Sequence, residues 1–277
     1  MEKQDEFVLS SGRRFSTLIV VLVCLFISPS VQALPAQEKA TTPPPQEESP
    51  PPAQAARELP PEERGDIFMA RKQYLDAVDY YKRALTNSKD RRAAIWNKIG
   101  IAYQQQTQFG QARKAYKKAI RIQKDFPEPW NNLGTTFYLA GKAKKSLKYY
   151  RQAVKLNPNS ASFHMNLGTA YFRRKKFEQA ITEYRAALTL DPNILREHSA
   201  RGTVVEARGS GYKLYFYLAK TFASLGMTEE AVRYLRKSFE EGFHDRELLD
   251  KDPDFQKIST DPAYVDLLAH PPVAIKE

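Results

Sequence analysis

The chain has 277 residues, 42% of them hydrophobic, with one cysteine, four histidines and a formal net charge of +11. A single cysteine excludes a disulfide framework, and scattered histidines with no Cys or His pair at ligand spacing exclude a recognisable metal site. The cationic balance favours anionic surfaces and acidic groups as neighbours.

Residues 1–33 read as a secretory signal: Arg13-Arg14, a short apolar run from Leu18 to Ile27, Pro29, and the small-residue end Val31-Gln32-Ala33. The run is shorter than the roughly 20 residues needed to span a bilayer, so cleavage after Ala33 is expected rather than a retained anchor. Cys24 lies inside the run behind Val23, where a lipoprotein would need a small residue, so lipidation is not expected and the mature chain has no cysteine. Residues 34–57 form a Pro-rich linker; nine of the 27 residues from Pro35 to Pro61 are proline. Such a segment cannot bury a core and suits an extended tether.

From Ala93 to Ile194 the sequence repeats every 34 residues, three times without a gap. Trp96, Ile99, Gly100, Tyr103, Ala112, Tyr116 and Ala119 recur as Trp130, Leu133, Gly134, Phe137, Ser146, Tyr150 and Ala153, then as His164, Leu167, Gly168, Tyr171, Ala180, Tyr184 and Ala187. Within a unit the apolar positions fall three and four apart, which places them on one helix face. Small residues interrupt that face where a second helix must approach. Each unit therefore predicts two antiparallel helices, A and B. In the unit at 127–160, helix A runs from about Glu128 to Ala140, Gly141 makes the turn, and helix B ends near Leu156 at Asn157-Pro158. Asn159 and Ser160 are expected to cap the helix that follows.

Weaker copies flank these three. Gly65, Phe68, Ala77, Tyr81 and Ala84 mark a first unit at 58–91, and Tyr215, Leu218, Ala219, Phe222, Gly226, Ala231, Leu235 and Ser238 mark a fifth at 212–245. With units at 93–126, 127–160 and 161–194, the array spans 58–242, interrupted by an inserted loop at 195–211. Residues 243–277 form a cap and tail, in which three short amphipathic helices begin around Asp-Pro steps; a solenoid needs such a cover for its last apolar face. Array and cap together, from Glu58 to roughly Leu268, take up about 205 residues and leave no room for a separate enzyme domain.

The pattern W-x2-L-G-x2-Y, then A-x3-F/Y, then Pro, at a period of 34, resembles the tetratricopeptide repeat family. The resemblance implies an all-α fold, a right-handed solenoid of about five helical hairpins with C-terminal capping helices. It also implies binding on an inner wall made by the A helices. The expected inward positions of helix A are the second, fifth, ninth, twelfth and thirteenth. They hold Asn131, Thr135, Tyr138 and Leu139 in the third unit, Met165, Thr169, Phe172 and Arg173 in the fourth, and Lys213, Phe216 and Lys220 in the fifth. A wall of aromatic, aliphatic and amide side chains bordered by cations suits an extended or helical peptide with apolar anchors and an acidic group. The family's carboxylate-clamp subtype is not assigned: only Asn132 and Asn166 resemble it, and Asn97 and Ile101 stand where its first Lys and Asn are expected.

Helix B of the second unit carries Arg113, Lys114, Lys117, Lys118 and Arg121, and helix B of the third carries Lys144, Lys145, Lys148, Arg151 and Lys155. Two readings stay open for this outer stripe: a solvated face, or attraction to anionic membrane or cell-wall polymer. Nucleic acid is not an expected partner of an exported chain. His164 stands where two units have Trp and reads as a packing residue. No P-loop, nucleophile elbow or dinucleotide fingerprint is present, so no catalytic residue, cofactor or metal is assigned. The expectation is a non-enzymatic, exported, protein-binding scaffold; the alternative is an envelope-associated protein held by its basic face.

Overall fold

The computed structural model describes residues 58–87, 89–195 and 211–274. The expected signal, the Pro-rich linker and all but the ends of the inserted loop lie outside them. The described residues contain thirteen α-helices and no strand. Ten of these helices make five antiparallel pairs: α1 (Pro61–Ala70) with α2 (Tyr74–Asn87), α3 (Arg92–Gln105) with α4 (Phe109–Ile122), α5 (Pro127–Leu139) with α6 (Ala143–Leu156), α7 (Ala161–Arg173) with α8 (Phe177–Leu190), and α9 (Tyr212–Ser224) with α10 (Thr228–Glu240). Each B helix also packs on the next A helix, giving the one-dimensional stacking of a solenoid.

One contact sets the pairing in the first four units. Tyr81, Tyr116, Tyr150 and Tyr184, one per B helix, are fully or almost fully buried against Gly65, Gly100, Gly134 and Gly168 of the partner A helix. A Cβ on any of these glycines would come within 2.4–2.7 Å of the ring. The fifth unit solves the same crossing differently, with Ala219 and Leu235 at the equivalent positions, both fully buried.

The turn from A to B is also repeated. Lys72, Thr107, Gly141, Lys175 and Gly226 all take positive φ, between 57° and 73°. At Gly141 the amide donates to Tyr138 O while Lys142 N donates to Phe137 O; the same pair of bonds forms at Thr107 and Gln108, which defines a Schellman end for helix A. At Ser160 the expected side-chain cap is absent: its Oγ lies 3.1 Å from Ser162 Oγ and caps no backbone amide of α7.

After α10 come α11 (Arg246–Lys251), α12 (Pro253–Gln256) and α13 (Pro262–Ala269). Asp252 and Asp261 cap α12 and α13 by accepting from Asp254 N and Ala263 N, each at 2.9 Å, with Pro in the first turn where its missing amide costs nothing. Leu249, Phe255 and Leu267 are fully buried, and α12 packs on α9 while α13 packs on α10. The three short helices thus stand where the first helix of a sixth unit would.

Candidate partner-binding site

Successive A helices touch one another, α3 with α5 and α5 with α7, more than successive B helices do. The A helices therefore lie on the inside of the curve. Closeness on that side changes which of their residues are open.

Polar side chains at the fifth, sixth and ninth positions of the first four units turn out to lie in the seam. Asn166 Nδ2 donates to Asn131 Oδ1 at 2.9 Å, Asn131 Nδ2 to Asn132 Oδ1 at 3.4 Å, and Asn132 Nδ2 to Asn97 Oδ1 at 3.0 Å, so four amides run across three units. Between the first and second units the same place is ionic: Lys98 Nζ reaches Glu62 Oε1 at 2.9 Å and Asp66 Oδ2 at 2.7 Å, and Arg91 adds a 2.9 Å pair to Glu62. Burial disfavours the Lys98 charge, but the two carboxylates more than offset this and raise its pKa. Tyr150 OH donates to Thr135 Oγ1 at 3.1 Å, and Tyr184 OH points at Thr169 Oγ1 at 3.5 Å. Desolvation pushes both phenols well above their ordinary value.

The expectation of an open wall is corrected accordingly. Asn131, Thr135, Tyr138, Met165, Thr169 and Phe216 are all buried. Asn131, Thr135 and Thr169 are used by the seam bonds, Met165 belongs to the hydrophobic core, and Tyr138 packs in that core with Arg173 5.3 Å over its ring. In the fifth unit the cap covers the wall: Phe216 meets Phe243 at 4.9 Å and Phe255 at 5.6 Å, and Lys220 Nζ pairs with Asp252 Oδ2 at 2.7 Å. Burial disfavours the Lys220 charge, while the bond to Asp252 and the nearby Asp254 raise its pKa overall. In the cap itself, burial and then Asp250 push the Tyr264 phenol up to about 12.

What remains exposed is the end of the second, third and fourth inner helices. Leu139 is 47% exposed, Arg173 is exposed, and Gln105, at the same thirteenth position one unit earlier, is exposed too. Phe172 is half-buried against Phe177 at 5.6 Å and Tyr217 at 6.1 Å. Lys213 is exposed. Gln105 was not singled out from sequence, although applying the thirteenth position to the second unit finds it. The Glu62–Lys98–Asp66 network was also missed; its signal is opposite charge one unit apart.

On the outer side, Lys114, Lys117, Lys118, Arg121, Lys144, Lys145, Lys148, Arg151 and Lys155 are exposed, as expected. Three members of the stripe also pack: Lys118 Nζ sits 3.9 Å over the Trp96 ring, Arg113 lies 5.4 Å over Phe137, and Arg151 Nε donates to Tyr171 OH at 2.9 Å. His164 is more than a packing residue. Its Nδ1 is 2.7 Å from Glu183 Oε2 and its Nε2 2.8 Å from Pro158 O. Both neighbours are acceptors, so both bonds form together only when the ring carries two protons. The Glu183 bond raises its pKa against the opposing effect of burial. Among the described residues no three His, Cys, Asp or Glu side chains gather as a metal would require.

Stacked two-helix units with a packing glycine, a Schellman turn and an inner A-helix wall define a helical-hairpin repeat protein. Three family models, each described as tetratricopeptide repeat, match residues 61–125, 131–193 and 212–241, together more than half of the sequence. The chain belongs to the tetratricopeptide repeat family. Among solved structures, MamA is similar at 19% identity, with 64% of this chain and 93% of that chain covered and a TM-score of 0.46. MamA 41-end from Desulfovibrio magneticus RS-1 is similar at 16% identity, covering 65% and 92%, with a TM-score of 0.47. YrrB, described as a TPR protein with an unusual peptide-binding site, is similar at 19% identity, covering 69% and 88%, with a TM-score of 0.45. No curated protein matches the chain.

Proposed function

We propose that this chain is an exported, non-enzymatic protein-interaction scaffold that takes an extended peptide segment along the open ends of its inner helices. The observation that carries the reading is the row Gln105, Leu139 and Arg173, one exposed residue at the same place in three consecutive units. Packed helices lie about 8–10 Å apart, and a peptide in polyproline II conformation rises about 3.1 Å per residue with three residues per turn, so every third peptide residue would meet a successive unit. An amide, an aliphatic side chain and a cation in that order suit a peptide with an apolar anchor flanked by polar and acidic groups. Export rests on the apolar run and the Val31-Gln32-Ala33 end, and gives a mature chain that begins at Leu34.

Site-specific photocrosslinking tests the binding reading. A crosslinker at residue 139 is expected to yield a protein adduct in cells, while one at residue 236, on α10, yields none. Equal adducts from both positions, or none at 139, contradict it. N-terminal sequencing of the extracytoplasmic protein tests export; a chain still carrying residues before Leu18 contradicts it.

A further inference from the structure

The outer stripe differs from every other outer helix of the array. Helix α4 carries Arg113, Lys114, Lys117, Lys118 and Arg121 and no carboxylate; α6 carries Lys144, Lys145, Lys148, Arg151 and Lys155 and no carboxylate. The other B helices are balanced or acidic. Helix α2 sets Asp76 and Asp79 against Lys82 and Arg83, α8 has Glu178 and Glu183 against Arg185, and α10 has Glu229, Glu230 and Glu240 against Arg233, Arg236 and Lys237. The whole chain has a net charge of +11, and α4 and α6 alone carry +10. A face needed only for solubility would mix its signs as these other helices do. None of the ten cations makes a salt bridge among the described residues.

We infer that the α4–α6 face docks the protein on an anionic phospholipid surface. The division of labour within the stripe chooses this occupant. The arginines, which would grip a phosphate in a bidentate manner, are engaged: Arg113 lies over Phe137, Arg151 Nε donates to Tyr171 OH, and Arg121 Nε donates to Lys117 O at 3.4 Å. The charges left projecting are mainly lysines, which act as point charges on flexible stems. Three rings beside the stripe are engaged as well, with Trp96 under Lys118 and Tyr149 stacked on Phe137 at 5.2 Å, which leaves them poor platforms for stacking bases. Two helices of 14 residues, each about 21 Å long, present these lysines over a broad outer face. A diffuse lysine field of this kind suits many weak headgroup contacts rather than one specific ligand. The face lies on the opposite side of the array from the inner row, so a docked molecule keeps that row free.

Vesicle co-sedimentation of the full chain tests this. Vesicles of pure phosphatidylcholine report any binding through the N-terminal apolar run, and vesicles doped with phosphatidylserine report the anionic increment. The increment is expected to be large at low salt and to fall as salt rises. Lys114→Glu, Lys117→Glu, Lys144→Glu and Lys148→Glu together should reduce it at least about a hundredfold. The same charge change placed elsewhere, at Lys72, Lys89, Lys176 and Arg236, should leave it within about threefold, with unchanged circular dichroism in both variants. Three results overturn the proposal: no anionic increment in the parent chain, an equal loss in the control variant, or tighter stripe-dependent binding to duplex DNA or an acidic polypeptide than to the doped vesicles at the same salt.

Discussion

Tyr150 lies against Gly134 so closely that a Cβ on the glycine would fall 2.7 Å from ring atom Cδ1. The contact fixes the angle and distance of α5 on α6, and the phenol then reaches past the helix to donate to Thr135 Oγ1. One residue pair thus joins the packing of a hairpin to the polar seam of the inner wall.

Gly134→Leu is expected to overpack this crossing and cost about 1–3 kcal/mol. The fifth unit shows the compensating solution, Ala219 with Leu235. Gly134→Ala alone should therefore lower the thermal midpoint, and Tyr150→Leu in the same chain should recover part of the loss, a coupling that a double-mutant cycle reads directly.

At the A-to-B turn, Thr107 holds φ at 59° with a β-branched side chain, where Gly141 and Gly226 hold the same turn without that strain. Left-handed conformation costs an L-residue about 1–2 kcal/mol. Thr107→Gly is expected to stabilise the fold by about 0.5–1 kcal/mol, measured by urea unfolding; Gly141→Thr should do the reverse.

His164 supplies a pH dependence whose sign is fixed by its neighbours. Glu183 and Pro158 O raise its pKa in the folded chain, so folding gains from the protonated ring. That contribution is fully present below the unfolded value of about 6.5 and is lost as pH rises through the higher folded value. In His164→Trp, which installs the residue that the two preceding units have, this dependence should disappear. The difference in thermal midpoint between parent and variant is expected to shift in the variant's favour as pH rises from mildly acid to mildly alkaline. A constant difference would contradict the assignment.

Phe255 is fully buried and Asp252 holds Lys220 across the end of the array. Phe255→Ala should cost about 3–5 kcal/mol locally. Because solenoid units hold only their neighbours, hydrogen exchange should speed up in α9 to α13 while α3 to α6 keep their protection. Uniform loss of protection would show that the array unfolds as one block.

The hairpins were legible because their signals are local: the Gly and Tyr sixteen residues apart recur four times, and Asp-Pro steps announce α12 and α13. The turn was legible only at Gly141 and Gly226. At Lys72, Thr107 and Lys175 the same backbone is imposed by the helices on either side, and no residue choice reveals it. The open and closed parts of the wall were not separable from sequence, since exposure there depends on how near the next A helix stands. Asn131 looks outward on a single hairpin and becomes a seam residue only when α7 brings Asn166, while Thr135 is taken up by the Tyr150 hydroxyl of its own hairpin. The cover over Phe216 and Lys220 is just as invisible locally, coming from Phe243, Asp252 and Phe255 beyond the end of α10.

Isothermal titration calorimetry with peptides selected on the folded chain from a random library tests the central claim most directly. The claim predicts that Leu139→Glu with Arg173→Glu weakens binding at least about tenfold, since a central anchor residue commonly contributes about 2 kcal/mol or more, while Lys114→Glu with Lys148→Glu on the outer face leaves it unchanged. Peptides that bind the Leu139/Arg173 variant as tightly as the parent would contradict it.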